Sequence, residues 1–171
     1  MIRYSKYLSP IGDIIICSTE AGICALEFFD VDYLESKLTG YRKHFKQPLI
    51  HGSNSHIEVA KNELQEYFFK SRNTFNTSLD PIGTAFQKKV WRSLQIIPYG
   101  KTISYSKQAL MLGIPGAFRA VASANARNKI AIMLPCHRVI GSNGKLTGYA
   151  GGIWRKERLL EIEGVLPERL F

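Results

Sequence analysis

Two short apolar runs early in the chain, Ile14-Ile15-Ile16 and Ala25-Leu26-Glu27-Phe28-Phe29, predict strands joined by a turn through Glu20-Ala21-Gly22. Helical spacing follows. Tyr33, Leu34, Lys37, Leu38, Tyr41 and Phe45 mark one helix, and Ile57, Ala60, Leu64 and Tyr67-Phe68 a second. Pro81-Ile82-Gly83 interrupts the pattern and predicts a boundary, with domains at 1–80 and 81–171. Beyond it, Thr84 and Gln87 have the spacing of a capping box ahead of a helix striped by Phe86, Val90, Leu94 and Ile97, which Pro98-Tyr99-Gly100 ends. Ser106 to Leu112, a turn at Gly113-Ile114-Pro115-Gly116, and Ala117 to Arg127 predict helix, turn, helix. The continuous apolar run Ile130-Ala131-Ile132-Met133-Leu134 predicts a buried strand stopped by Pro135. A last helix carries Lys156, Leu159, Leu160 and Glu163 on one face, drawing Glu163 inward and leaving Glu157 and Glu161 to solvent. The expected fold class is α+β: a small N-terminal α/β domain, then a mainly helical C-terminal domain with a helix-turn-helix.

Charge sharpens this picture. The net charge is +9, but through Asp80 the acidic residues slightly outnumber Lys and Arg. From Pro81 to Lys156 there is no Asp or Glu, while Lys88, Lys89, Arg92, Lys101, Lys107, Arg119, Arg127, Lys129, Arg138, Lys145, Arg155 and Lys156 all fall there. Such a segment is the footprint of phosphate binding, the other reading being a basic pI kept for solubility. No apolar run approaches a membrane span, and the opening MIRYSKYLSP lacks the apolar stretch of a secretory signal. The expectation is therefore a protein of the cytoplasm or nucleus (nucleoid-associated if bacterial) with no membrane partner. Cys17, Cys24 and Cys136 are an odd number without CxxC spacing, so neither a disulfide framework nor a zinc ribbon is expected. Cys17 and Cys24 read as small core residues, and His44, His51 and His56 as surface residues rather than ligands.

The candidate chemistry lies in the basic half. On the second helix of the helix-turn-helix, Arg119, Ala122, Ser123 and Ala126 share one face, with Val121, Ala124 and Asn128 opposite. Small residues with one protruding Arg suit approach to a groove, and equally to a neighbouring helix. Cys136 and His137 follow the apolar run directly. Adjacent residues of an extended strand point to opposite faces, so the two cooperate only if the backbone turns or a water bridges them. A cysteine beside His137 and Arg138 in an acid-free region should ionise more readily than an unperturbed thiol, and the thiolate is the nucleophile. A buried structural cysteine is the other reading. An inward Glu163 needs a donor, and an imidazole N–H is a natural one.

Leu134-Pro135-Cys136-His137-Arg138-Val139-Ile140-Gly141, followed by Gly148-Tyr149-Ala150-Gly151-Gly152, closely resembles the active-site signature of O6-alkylguanine-DNA alkyltransferases (methylated-DNA–protein-cysteine methyltransferases). Agreement runs from Thr84 to Gly164, through Ile103-Ser104-Tyr105, Arg119-Ala120-Val121, Asn128 and Arg155-Lys156-Glu157, and more loosely through Ser9-Pro10-Ile11-Gly12. The resemblance implies a ribonuclease H-like N-terminal domain and a DNA repair protein that moves an alkyl group from O6-alkylguanine, and by extension O4-alkylthymine, to Cys136, once and irreversibly. His137 would deprotonate Cys136 through a water, with Glu163 orienting the imidazole, and Tyr105 would offer its hydroxyl to the leaving purine. Arg119 would fill the stack vacated by the flipped nucleotide, with Ala122, Ser123, Ala126 and Arg127 beside it at the minor groove. Asn128 would tie this helix to the active-site loop. Tyr149, Ala150 and Gly151 would wall the pocket, carbonyls of Cys136 and Val139 would read the exocyclic amine, and Lys156 would complete the substrate-binding set.

The chain departs from many members at Lys129 and from some at Ala131, where those have Pro, which bears on pocket shape. The Cys/His set with which some relatives bind zinc is not assembled, and no glycine-rich fingerprint suggests a bound methyl donor, so no metal or cofactor is expected. The expected partner is double-stranded DNA carrying O6-alkylguanine, bound by a monomer. Three rivals remain: a lesion sensor, whose known forms replace the acceptor cysteine, usually by Trp; a helix-turn-helix regulator; and a Cys-His hydrolase.

Overall fold

A computed structural model describes residues 1–169, which divide into two compact units, Met1–Ile82 and a second beginning at Gly83. The architecture is α+β. In the first unit, β1 (Ile2–Ser9), β2 (Gly12–Ser18), β3 (Ile23–Phe28) and β4 (Leu49–His51) form one sheet in the order β3-β2-β1-β4. β2 pairs antiparallel with β1 and β3, and β4 joins β1 in parallel. Ile14, Ile15 and Ile16 of β2 are all fully buried, which consecutive strand residues achieve only when both faces of a sheet are covered. Helix α1 (Leu34–Phe45) sends Leu38, Tyr41 and Phe45 against Ile15, Cys17 and Cys24. Helix α2 (Ser55–Phe68), capped by the Asn54 side chain, buries Ile57, Ala60, Leu64 and Tyr67 as its spacing predicts and packs on β1, β2 and β3. β1 and β4 escape the sequence reading. β1 alternates polar and apolar residues weakly and leaves Leu8 exposed, and β4 is three residues long.

The second unit opens with α3 (Ala85–Leu94), where the capping box forms: Gln87 N donates to Thr84 Oγ1 at 3.1 Å and Thr84 N to Gln87 Oε1 at 2.9 Å. Two details of the predicted stripe are corrected. Phe86 is exposed and Trp91 takes the inward place, its indole donating to the Ala124 carbonyl at 2.8 Å. The helix ends at Leu94, and Ile97 is buried from the following turn. α4 (Tyr105–Met111) and α5 (Phe118–Ala126) make the helix-turn-helix, with Gly113 and Gly116 at φ 74° and 86°, the left-handed conformation that such a turn demands. Val90, Ala109, Val121 and Ala124 form its core. A buried amide pair sets the crossing: Asn125 donates to Gln108 Oε1 at 2.7 Å, and Gln108 donates to Ser93 Oγ at 3.0 Å, joining α5, α4 and α3. Two short parallel strands, β5 (Ile103–Ser104) and β6 (Val139–Ile140), and α6 (Ile153–Ile162) complete the unit.

The predicted strand at Ile130–Leu134 is a buried turn instead. Leu134 N returns to Ile130 O at 3.1 Å, and Ile132 takes φ 69°, uncommon for a β-branched residue. Burial was read correctly and conformation was not, because a short apolar run does not report which backbone hides it. Glu161 is likewise corrected: it is buried, paired with Arg158 and Arg169, while Glu157 is half-buried and bonded to Arg169. Among the described residues, no helix is long and apolar enough to cross a membrane.

Candidate active site

The turn at Ile130–Leu134 is held from the end of α5. Asn128, buried just past that helix, accepts from Ile130 N at 2.9 Å and donates to Leu134 O at 2.8 Å. The same amide donates to Cys136 Sγ at 3.3 Å, so one side chain joins α5 to the active-site turn and to the thiol. Cys136–Arg138 form a single turn of 3-10 helix. The backbone therefore turns at Cys136, which meets the condition that adjacency of Cys136 and His137 imposed. Cys136 is half-buried on a cleft of about 540 Å³, bordered by Tyr105, Arg119, Ala122, Ala126, Tyr149 and Ala150, with Phe118, Asn125, Thr147 and Gly148 adding to its walls.

Behind the cleft His137 is fully buried, its Nε2 2.7 Å from Glu163 Oε1. Since a carboxylate only accepts, Nε2 carries the proton and Nδ1 presents a lone pair. That Nδ1 is buried and has no hydrogen-bond partner within the protein. Burial lowers the proton affinity of His137; Glu163 opposes this, and the positive charges of Arg138 and Lys156 add to the lowering. Burial alone would raise the Glu163 carboxyl, but His137 and Arg138 outweigh it and hold it far below the usual carboxylate range. Both groups thus bind protons less readily folded than unfolded, so acid costs stability. Unfolding free energy should begin to fall below about pH 6.5, where His137 of the unfolded chain protonates, and fall further through about pH 4.3 as the unfolded Glu163 does. Denaturant titrations across pH check this, and His137→Phe should remove the upper phase and shrink the lower one, because Arg138 alone then opposes the burial of Glu163.

On the other side of the cleft, Tyr105 donates to the Thr147 carbonyl at 3.1 Å. Burial raises its pKa, the Thr147 side chain opposes this, and a negative Cys136 adds to the rise, so the phenol stays a proton donor. Lys156 is fully buried and donates to the carbonyls of Val139 at 2.6 Å, Thr147 at 2.9 Å and Gly148 at 3.3 Å, within 3.5 Å of the Tyr105 hydroxyl. Burial pulls its pKa down to about 8, with Cys136 opposing. Lys156 therefore clasps β6 to the Thr147–Gly148 wall of the cleft, and Val139, expected to read the substrate's amine, is fully buried and not among the residues bordering the cleft.

Along α5, Arg119, Ser123 and Ala126 are exposed and Ala122 is half-buried, while Val121, Ala124 and Asn125 face inward. Arg119 lies over the Phe118 ring, its guanidinium carbon 5.6 Å from the centroid. Arg127 is exposed and folded back on Ser123, donating to its carbonyl at 3.2 Å. Gly151 is not among the residues bordering the cleft; its carbonyl accepts from Arg155 at 3.0 Å. One participant escaped the sequence reading, and another, Arg138, was expected only as a positive charge beside Cys136. Phe118, beside Arg119, borders the cleft, and Arg138 grips Glu163 through Nε at 2.9 Å and Nη2 at 3.0 Å. The signal for Arg138 was available: a buried carboxylate offers about four lone pairs, and one imidazole N–H fills only one.

Two family models match the chain: the ribonuclease-like domain of 6-O-methylguanine DNA methyltransferase over residues 2–81, and its DNA-binding domain over residues 85–165. The methylated-DNA–protein-cysteine methyltransferase of Methanosarcina barkeri is 43% identical over 168 residues, covering 94% of this chain and 96% of its own. The constitutive enzyme of that name from Bacillus subtilis is 42% identical over 166 residues, covering 96% and 97%. Among solved structures, Mycobacterium tuberculosis OGT in complex with DNA superposes with a TM-score of 0.80 at 39% identity, covering 94% of this chain and 92% of its own.

Proposed function

Because the chain belongs to the 6-O-methylguanine DNA methyltransferase family, whose activity is alkyl transfer in DNA repair, we propose that it takes the alkyl group of O6-alkylguanine in double-stranded DNA onto Cys136, irreversibly and once per molecule. The observation that carries this reading is Cys136 on an open cleft with an imidazole beside it in the chain, oriented by a buried carboxylate. Cys17 and Cys24 are poor rivals: both are buried, and burial holds Cys17 well above the ordinary thiol value and pushes Cys24 up to about 12.

The lesion carbon is inaccessible inside a base pair, so the nucleotide must leave the stack. Arg119, exposed on a face of small residues, occupies the gap, and Ala122, Ser123, Ala126 and Arg127 follow the groove. With the base in the cleft, Tyr149 and Ala150 wall it, and the Cys136 carbonyl accepts from its exocyclic amine. Cys136 gives its proton to His137 Nδ1 through a water, a route supported by the lone pair that the Glu163 bond leaves there. The Asn128 amide, already on Sγ, favours the thiolate. Sulfur attacks the alkyl carbon, the carbon–O6 bond breaks, and its electron pair passes into the purine. Tyr105 turns from Thr147 to a ring nitrogen and donates, so the ring gains one proton for the one that Cys136 lost. The product is a thioether that water does not cleave, and we propose no cofactor, metal, membrane contact or second subunit, with the protein working in the cytoplasm, at the nucleoid if it is bacterial.

Intact-mass measurement after incubation with duplex DNA carrying O6-methylguanine should show one added methyl group, mapped to Cys136. An adduct on Cys17 or Cys24, or methyl release beyond one equivalent, contradicts the reading. DNA affinity should also fall steeply with salt and vary little with undamaged sequence, each phosphate contact adding about −0.9 to the log–log slope. A flat salt response, or strong preference for one undamaged site, would instead indicate a regulator.

A further inference from the structure

Glu163 is shared. Its Oε1 accepts from His137 Nε2 at 2.7 Å and from Arg138 Nη2 at 3.0 Å, and its Oε2 accepts from Arg138 Nε at 2.9 Å and from Gly100 N at 3.3 Å. Arg138 is in turn fixed by donating through Nη1 to the Ile97 carbonyl at 2.7 Å, and lies over the Tyr99 ring at 5.8 Å. The bidentate contact to Arg138 takes up most of the carboxylate's basicity and places a permanent positive charge beside His137. An imidazole facing a carboxylate alone gains a proton readily, because the imidazolium–carboxylate pair is favoured where water is excluded. A protonated His137 could accept nothing from Cys136.

We propose that Arg138 is a positioning residue that reserves Glu163 for orienting His137 and keeps the imidazole a neutral proton acceptor at working pH. The other groups facing His137 fit this role. From α6 and its C-terminal cap come Lys156, a second positive charge, and Glu163 itself; from its own turn come Arg138 and Cys136. The 97–100 turn adds Tyr99, whose hydroxyl donates to the Ile162 carbonyl, and α3 turns inward only the uncharged Val90, Trp91, Ser93 and Leu94. Direct contact with Glu163 makes Arg138 the positive group that decides how much of the carboxylate His137 can draw on. This inference rests on the proposed role of His137 as the base.

The test is the pH dependence of single-turnover alkyl transfer, with NMR titration of His137 in the same proteins: wild type, Arg138→Lys and Arg138→Met. In wild type, His137 should titrate below the ordinary histidine value. In Arg138→Met both the titration and the acid limb of the rate should move up by about one pH unit or more, with much of the lost rate recovered at higher pH. Arg138→Lys, which keeps the charge without the fork, should fall between and provides the test if Arg138→Met does not fold. An unmoved His137 titration, with lower melting temperature and a rate depressed equally at every pH, overturns the proposal and leaves Arg138 a scaffold residue. A titration that moves while the rate limb stays put supports the assignment of Arg138 but removes His137 as the base. His137→Phe with an undiminished rate would show that second failure directly.

Discussion

His137→Phe is expected to slow alkyl transfer by about 10²- to 10⁴-fold, the usual contribution of a positioned general base, and Glu163→Gln added to it should slow the reaction hardly further. Groups acting as one unit do not lose their effects additively, because the orienting carboxylate has nothing left to orient. Glu163→Gln alone should slow transfer while leaving DNA affinity near wild type, since Glu163 is buried away from the exposed face of α5. The structure adds a cost that the sequence did not disclose. Glu163 also neutralises Arg138, and breaking a buried pair typically costs about 3–5 kcal/mol. Melting curves and single-turnover rates for the four proteins separate the two contributions. Simple additivity of the rate losses would mean that Glu163 serves only to neutralise Arg138.

Arg119→Ala should reduce repair of duplex lesions by roughly 100-fold, equivalent to the few kcal/mol needed to hold a nucleotide out of the stack. Reaction with free O6-benzylguanine, if that substrate is accepted, should suffer much less, because a free base requires no flipping. Arg119 borders the cleft as well as standing on the exposed face of α5, so the comparison is necessary. Equal losses on both substrates would assign Arg119 to the cleft wall. A selective loss on duplex assigns it to the stack.

Most of the helices were legible because they are local statements. The spacing of Ile57, Ala60, Leu64 and Tyr67 reports one buried face, and Thr84 with Gln87 reports a helix start, whatever lies elsewhere in the chain. The exposed face of Arg119, Ser123 and Ala126 and the inward turn of Glu163 followed from the same periodicity. The distribution of charge pointed to DNA, and the contiguous segment around Cys136 pointed to a nucleophile through its resemblance to a known family.

What only tertiary structure decided were the matters of partnership. β1 exists because it pairs with β2 and β4, and β4 because it pairs with β1, and strand pairing between distant segments leaves little local trace. Ile130–Leu134 had to be buried, but whether as strand or turn was settled by Asn128, whose amide supplies bonds that no neighbouring strand offers. Glu161 and Glu163 are two residues apart and both buried, for reasons that lie in Arg158 and Arg169 in one case and in His137 and Arg138 in the other. A carboxylate enters the interior only where donors meet it. Sequence determined which chemical groups this protein brings to its cleft; the fold decided which of them touch, because the partners of a buried charge are chosen across the chain and not along it.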